Sequence, residues 1–112
     1  MDRVTTYKQI IHDELAERAA RKVSYSEDMS NRLIVNQERT EFILIRLGWF
    51  RERYRYVTLF HIEIRENKIW LHQNNTDVVI EDILTRKGVQ ADDIVVAFVH
   101  PMERAQENVA LA

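Results

Sequence analysis

The spacing of apolar positions changes three times along this chain. Over residues 4–19 apolar side chains recur at steps of three or four, with charged residues between them, which predicts an amphipathic helix of about five turns. Residues 24–31 are hydroxyl-rich and polar, which is typical of a loop. From residue 32 the period falls to two and β-branched and aromatic residues dominate, which predicts four strands, at 32–37, 41–48, 54–65 and 67–72.

The last two of these strands are close enough in sequence to predict how they pair. If Glu66 and Asn67 form a two-residue turn, an antiparallel hairpin follows whose register is set by that turn. The predicted pairs are Ile64 with Ile69, Ile62 with Leu71, Glu63 with Trp70, and His61 with His72. A bulged turn that shifts this register by one residue remains an alternative, because Glu66 does not favour the positive φ that such a turn requires.

The chain then returns to helical and afterwards to strand periodicity. The polar residues 74–77 offer capping oxygens before an apolar stripe that ends at Gly88, so a helix is expected over 77–87. Residues 94–99 are continuously apolar and predict a strand covered on both faces, inside the sheet, and His100 and Pro101 end it. A strand, a helix and a second strand favour a parallel crossover. Residues 102–112 are expected to form a short helix or to fray.

Together these elements predict an α+β fold, in which an N-terminal helix and a second short helix pack on a mixed, mostly antiparallel sheet of about five strands. The chain has 112 residues and contains no polar linker or repeat, so one domain over 1–112 is expected. It also contains no apolar stretch of signal-peptide or membrane-spanning type, which predicts a cytoplasmic protein.

Composition narrows the possible chemistry. The formal net charge is −2, so no whole-surface field selects a partner. The absence of cysteine excludes disulfides, thiol nucleophiles and cysteine-based metal sites. No nucleophile paired with a base, no carboxylate dyad and no phosphate-binding glycine loop is visible. These observations predict that the protein is not an enzyme and has no cofactor.

An ordered series of short motifs resembles the XisI family, whose members are controlling factors for excision of the fdxN DNA element in cyanobacteria. The resemblance extends from about Tyr7 to Arg104. It rests on the following residues in this order: Gly48, Trp49, Arg53, Arg55, His61, the strand 68–71, the segment 74–77, Gly88, Val89, residues 93–95, Phe98, Pro101 and Arg104.

This resemblance implies an accessory role in programmed, site-specific DNA rearrangement. It also implies two kinds of partner, a recombinase complex and a companion protein, XisH, that looks nuclease-like, and it implies no known catalytic residue. The sequence departs from the family pattern at four places. Asn67 replaces a glycine, Leu71 and His72 replace Ile and Gln, and Asp77 replaces Glu. Asn36 stands where an Asp often occurs, which weakens any argument for a catalytic carboxylate there.

The densest group of functional side chains lies between Arg46 and Tyr56, where four arginines alternate with four aromatic residues and one glutamate. Guanidinium groups suit phosphates and carboxylates, and aromatic faces accept bases or other guanidinium groups, so this hairpin is a candidate contact surface for a protein or for nucleic acid. The alternative is an ordinary strand with arginines in solvent. The predicted binding residues, from this hairpin and from the family motifs, are Trp49, Arg51, Arg53, Arg55, His61, Trp70, Pro101 and Arg104.

The strand face that carries Trp70 holds two further candidate features, an interface and a metal site. The face that carries Trp70 is expected to be covered, either by one of the two helices or by another chain, and a second copy of this chain is one possible cover. On the same face His61, His72 and Glu63 suggest three metal ligands, but no fourth ligand has suitable spacing, so no metal site is predicted.

Asp92 and Asp93, with Glu81 and Asp82 upstream, resemble a magnesium-dependent nuclease cluster. No lysine follows at the spacing that such clusters use, and solvated loop carboxylates are the simpler interpretation. The sequence therefore favours a non-catalytic accessory factor that binds an XisH-like protein. Direct DNA binding by the hairpin 46–56 is the main alternative, and a small metal-dependent nuclease is a weaker one.

Overall fold

The computed structural model describes residues 2–100 and residue 102. Helix α1 (Arg3–Ala20) begins after Asp2, whose carboxylate accepts a hydrogen bond from the backbone N–H of Thr5 at 2.8 Å. This helix-capping bond lowers the pKa of Asp2. Tyr7, Ile11 and Leu15 are buried along one side of the helix, as its apolar spacing predicted.

Five strands form one sheet in sequence order: β1 (Met29–Val35), β2 (Glu41–Phe50), β3 (Arg53–Arg65), β4 (Lys68–Asn74) and β5 (Ile94–Val96). The first four are antiparallel neighbours, and β5 pairs with β4 in parallel. Helix α2 (Ile80–Arg86) provides the crossover between β4 and β5. The predicted α+β class, with two helices on a five-stranded mixed sheet, is confirmed.

One face of the sheet carries both helices and the hydrophobic core. Side chains of α1 and α2 pack there against alternate residues of the strands. We call this the helix face and the opposite side the open face. The largest fully buried side chains in the core are Tyr7, Phe42, Phe60, Ile11, Leu15, Leu44, Ile62, Ile69, Leu71, Ile80 and Leu84.

The hairpin between β3 and β4 has most of the predicted register. Glu66 and Asn67 both have positive φ, at 56° and 63°, as the two central residues of a type I′ turn require. Three of the four predicted pairs are confirmed, but the pairing of His61 with His72 is wrong. A bulge at this point pairs His61 with Gln73 instead. The extra residue of a bulge can be placed in either strand without changing the turn, so the turn does not determine it.

Strand β1 and helix α2 each start three residues away from their predicted positions, for local reasons. Strand β1 begins at Met29, three residues earlier than expected, because this polar stretch pairs with β2 along the sheet edge. Helix α2 begins at Ile80 rather than at 77, and the N-cap residue before it, Val79, makes no side-chain capping bond. Asn74 and Thr76 instead hydrogen-bond to backbone groups of residues 76 and 78, which holds residues 74–78 in a turn.

The prediction that the last strand lies inside the sheet is wrong. Strand β5 is an edge strand of three residues, and Phe98, beyond it, is 59% exposed. Strands β1 to β4 form consecutive hairpins, so β5 can join the sheet only at an outer edge, and it joins that of β4. No helix among the described residues is long and apolar enough to cross a membrane. Of the tail predicted at 102–112, residues 103–112 lie outside the described residues.

Candidate interaction surfaces

The predicted binding residues are divided between the two faces of the sheet. Successive side chains of a strand point to opposite faces, so the arginines and the aromatic residues of β3 separate. Trp49, His61 and Trp70 belong to the open face. Arg53 and Arg55 belong to the helix face, and Arg51 lies in the turn between β2 and β3 with φ of 58°. Pro101 and Arg104 lie outside the described residues.

The open face has an aromatic patch at its β2–β3 hairpin end, formed by Trp49, Tyr54 and Tyr56. Trp49 pairs with Tyr54 across the two strands, and their rings meet edge to face with centroids 5.6 Å apart. All three side chains remain more than half exposed. Tyr56 pairs with Leu47, so the patch continues into the aliphatic centre of this face along β2. Clustered exposed aromatic residues of this kind mark interaction sites.

Trp70 lies on the open face, opposite both helices, so the prediction that one of the helices covers it is wrong. Its indole N–H donates to the carbonyl of Arg65 at 3.2 Å, and the Arg65 guanidinium lies over the ring at 4.0 Å from its centroid. The Arg65 side chain, on the same strand pair, thus partly covers the indole. The other predicted cover, a second protein chain, stays a prediction.

His61 and His72 come together on the open face although they do not pair in register. Their ring centroids are 4.9 Å apart, and the Nε2 atom of each ring lies within hydrogen-bond distance of a glutamate. His61 meets Glu41 at 2.8 Å and His72 meets Glu63 at 2.7 Å. Each histidine thus has its own carboxylate, and within residues 2–100 no group of three or more such side chains is arranged to hold a metal ion.

The acidic residues considered for a nuclease site are separated by the fold. Asp93 is buried, accepts a hydrogen bond from the Tyr7 hydroxyl, and meets Arg3 at 3.3 Å. Burial and the hydrogen bond to Asp93 raise the pKa of Tyr7. Glu81 and Asp82 belong to the first turn of α2. The interpretation of Asp93 as a solvated loop carboxylate is wrong, because its carboxylate joins α1 to the segment before β5.

A groove on the helix face contains residues that the sequence did not single out. It begins with a cavity of about 370 Å³ beside the end of α1, continues into one of about 390 Å³ against β2 and β3, and ends at the hairpin turn. Tyr25, Arg46, Leu59 and Asn75 line both cavities. We call this the basic groove. Its charged lining residues are Arg18, Arg21, Lys22, Arg46, Arg51, Arg53 and Arg55, with Glu52 and Asp77 as its carboxylates.

Besides the arginines of the hairpin 46–56, one sequence feature indicates this groove, a tyrosine within an otherwise polar loop. The Tyr25 ring meets Phe50 edge to face at a centroid distance of 5.3 Å, and the Arg46 guanidinium lies 5.8 Å from its centroid. These three residues come from a loop and from two positions on β2. Their contact depends on the loop folding back over the sheet, which no local pattern reports.

Comparison with known proteins identifies relatives. The family model described as XisI protein matches residues 1–111. A crystal structure of a XisI-like protein from Anabaena variabilis is similar with a TM-score of 0.81 and 30% identity, over 89% of this chain and 91% of that one. The fdxN element excision controlling factor XisI from the same organism is similar with a TM-score of 0.76 and 24% identity, over 92% of this chain and 99% of that one. A search among curated proteins finds no significant match.

Proposed function

Because this chain belongs to the XisI family, we propose that it is a non-catalytic controlling factor of programmed DNA element excision. It acts by binding another protein through the open face of its sheet. The partner proposed is a nuclease-like companion of the XisH type, alone or within a recombination complex. Support for the excision role comes from the family and from the similar Anabaena protein, which is an fdxN element excision controlling factor.

The aromatic patch is the observation that supports protein binding. Trp49, Tyr54 and Tyr56 are 54%, 53% and 62% exposed, on the face of the sheet that neither helix covers. Tryptophan and tyrosine are enriched among residues whose truncation weakens protein interfaces most. No cation belongs to the patch itself, so it suits an apolar protein surface better than a phosphate backbone.

Calorimetric titration with the cognate XisH-like protein tests this proposal. We expect a complex in the micromolar range or tighter. Replacing Trp49 and Tyr56 by alanine should weaken it at least about thirtyfold, since truncation of such residues commonly costs 2 kcal/mol or more. Urea unfolding of each variant establishes that the fold is retained.

Tyr25 provides a matched control on the opposite face, because its side chain is 53% exposed, as is that of Tyr54. Tyr54→Ala should weaken the complex, whereas Tyr25→Ala should leave its affinity within about twofold. Absence of binding at tens of micromolar would contradict the partner, and equal effects of the two variants would contradict the surface. Metal-dependent plasmid cleavage that is lost in Asp93→Asn would contradict the non-catalytic role.

A further inference from the structure

We propose that the basic groove on the helix face binds single-stranded DNA, with its cations on the phosphates and Tyr25 against a base. This inference goes beyond the proposed function, because the groove and the aromatic patch lie on opposite faces of the sheet and share no residue. It also revises the alternative predicted from the sequence, in which the whole hairpin 46–56 binds DNA. The arginines of the hairpin 46–56 face the groove, whereas the aromatic residues Trp49, Tyr54 and Tyr56 do not.

The charge of the groove is the first argument. Seven cationic side chains and two carboxylates line it, in a protein whose formal net charge is −2. Arg18 and Arg21 are paired with Glu14 and Glu17. The other five cations are Lys22, Arg46, Arg51, Arg53 and Arg55, and none of them forms an ion pair with a carboxylate among the described residues. Unpaired guanidinium groups along one groove suit a polyanion.

The aromatic side chains of the groove are the second argument. Tyr25 and Phe50 meet edge to face, Arg46 lies over the Tyr25 ring, and Arg51 lies 5.2 Å from the centroid of Phe50. Cations and aromatic rings therefore alternate along the wall, and the Tyr25 ring is half exposed. A positively charged groove that presents aromatic faces is the usual platform for single strands, whose bases are free to stack.

Gly48 holds the loop in the position that creates this groove. Its φ is 132°, and a Cβ added there would lie 2.1 Å from the carbonyl oxygen of Asp28. Met29 pairs with Gly48 at the start of β1, so the backbone of residues 28–29 packs closely beside β2 and leaves no room for a side chain at Gly48. The hydroxyl of Ser26 donates to the carbonyl of Trp49 at 3.2 Å and ties the same loop to the strand. Tyr25 is thus held beside Phe50 and Arg46.

The shape of the groove favours a single strand over a duplex. A duplex is read by a protruding helix or ribbon that enters its major groove. Here most of the cations line a recess between the end of α1, the loop before β1, and the turn at residues 74–78. An acidic peptide would satisfy the cations but would not use the exposed Tyr25 face, so single-stranded DNA is the ligand that accounts for both features.

Fluorescence anisotropy with a labelled 20-nucleotide oligothymidine tests the inference on the whole chain. Contacts with about four phosphates give a slope of log affinity against log salt near −3, so binding should weaken about fiftyfold between 50 and 200 mM salt. Arg53→Gln with Arg55→Gln should reduce the slope by about 1.4, since each phosphate contact contributes about 0.7. A matched pair outside the groove, Lys68→Gln with Arg86→Gln, should leave the slope unchanged.

Tyr25 variants separate stacking from charge. Tyr25→Ala should weaken oligothymidine binding at least about fivefold, and Tyr25→Phe should preserve it, because the phenylalanine ring still stacks. Tyr54→Ala, which alters an equally exposed ring on the open face, should have no effect.

Three outcomes would overturn the inference: no binding at 50 mM salt, equal or tighter binding of a mixed-sequence duplex, or equal binding of polyglutamate. A failure of any of these tests leaves the titration with the XisH-like protein unaffected, because that titration probes the open face.

Discussion

At the scale of single residues, the most constrained group is the buried carboxylate of Glu14. Nothing in the sequence distinguishes it, because a glutamate on a charged helix is ordinarily solvated. In the fold it is 4% exposed and meets Arg18 and Lys87, each at 2.6 Å. Burial alone would raise its pKa, but the hydrogen bonds from Lys87 and Arg18 outweigh burial and lower it. The carboxylate thus joins α1 to the end of α2.

Glu14→Gln should lower the free energy of unfolding by about 2 kcal/mol at pH 7, since hydrogen bonds to charged groups contribute in this range. A group with a lowered folded-state pKa stabilises the fold above its unfolded pKa of about 4.5, and this contribution disappears as pH falls through the folded value. The difference between wild type and variant should therefore be constant above about pH 5 and shrink below it. Urea unfolding at several pH values measures this, and a difference independent of pH would contradict the assignment.

At the scale of elements, the β3–β4 hairpin has the predicted two-residue turn, and that turn contains a residue in a strained backbone conformation. Both central residues have the left-handed backbone conformation. For residues with a Cβ, such as Glu66, this conformation is unfavourable by roughly 1–2 kcal/mol. Asn67 tolerates it better. The pairs next to the turn, Ile64 with Ile69 and Arg65 with Lys68, nevertheless hold the register. Pairing and burial along the strands outweigh the preference of one turn residue.

Replacing the turn by Asn-Gly, as Glu66→Asn with Asn67→Gly, should therefore raise the free energy of unfolding by about 1 kcal/mol. The fold and both surfaces are unchanged by the replacement, so the gain should appear in the urea midpoint with an unchanged slope. Glu66→Ala is the matched control, because it retains a Cβ at the same left-handed position and should give no gain. A destabilised Asn-Gly variant would show that the turn is not type I′ in solution.

At the scale of the whole molecule, the sheet separates two surfaces of different chemistry. The aromatic patch lies on one face and the basic groove on the other, although both draw residues from the same hairpin. Strand alternation alone produces this division. A protein bound to the open face would leave the groove accessible, so the proposed arrangement allows one small chain to contact a companion protein and DNA together.

This arrangement predicts a ternary complex. With the XisH-like protein at saturating concentration, the affinity for labelled oligothymidine should change by less than about threefold, since sites without shared residues are usually close to independent. Anisotropy of the oligonucleotide with and without the companion measures this, and a larger final anisotropy should report the larger complex. Displacement of the oligonucleotide by the companion would show that the two surfaces overlap.

Local sequence patterns are enough to predict the individual elements, because helix and strand periods and turn residues act between near neighbours. The helix over 4–19, three of the four hairpin pairs around Glu66 and Asn67, and the α+β class all follow from such patterns. The candidate residues of the hairpin 46–56 were also identifiable, because arginines and aromatic residues alternate there in the sequence itself.

Which of these residues act together depends on the three-dimensional fold. The edge position of β5, the contact of Tyr25 with Phe50, and the link between Glu14 and Lys87 join segments far apart in the chain. Such contacts depend on strand order and on how a loop lies over the sheet, and both are set by burial of the whole core rather than by any local pattern. The division of one hairpin into an aromatic face and a basic face likewise required knowing which side the helices cover.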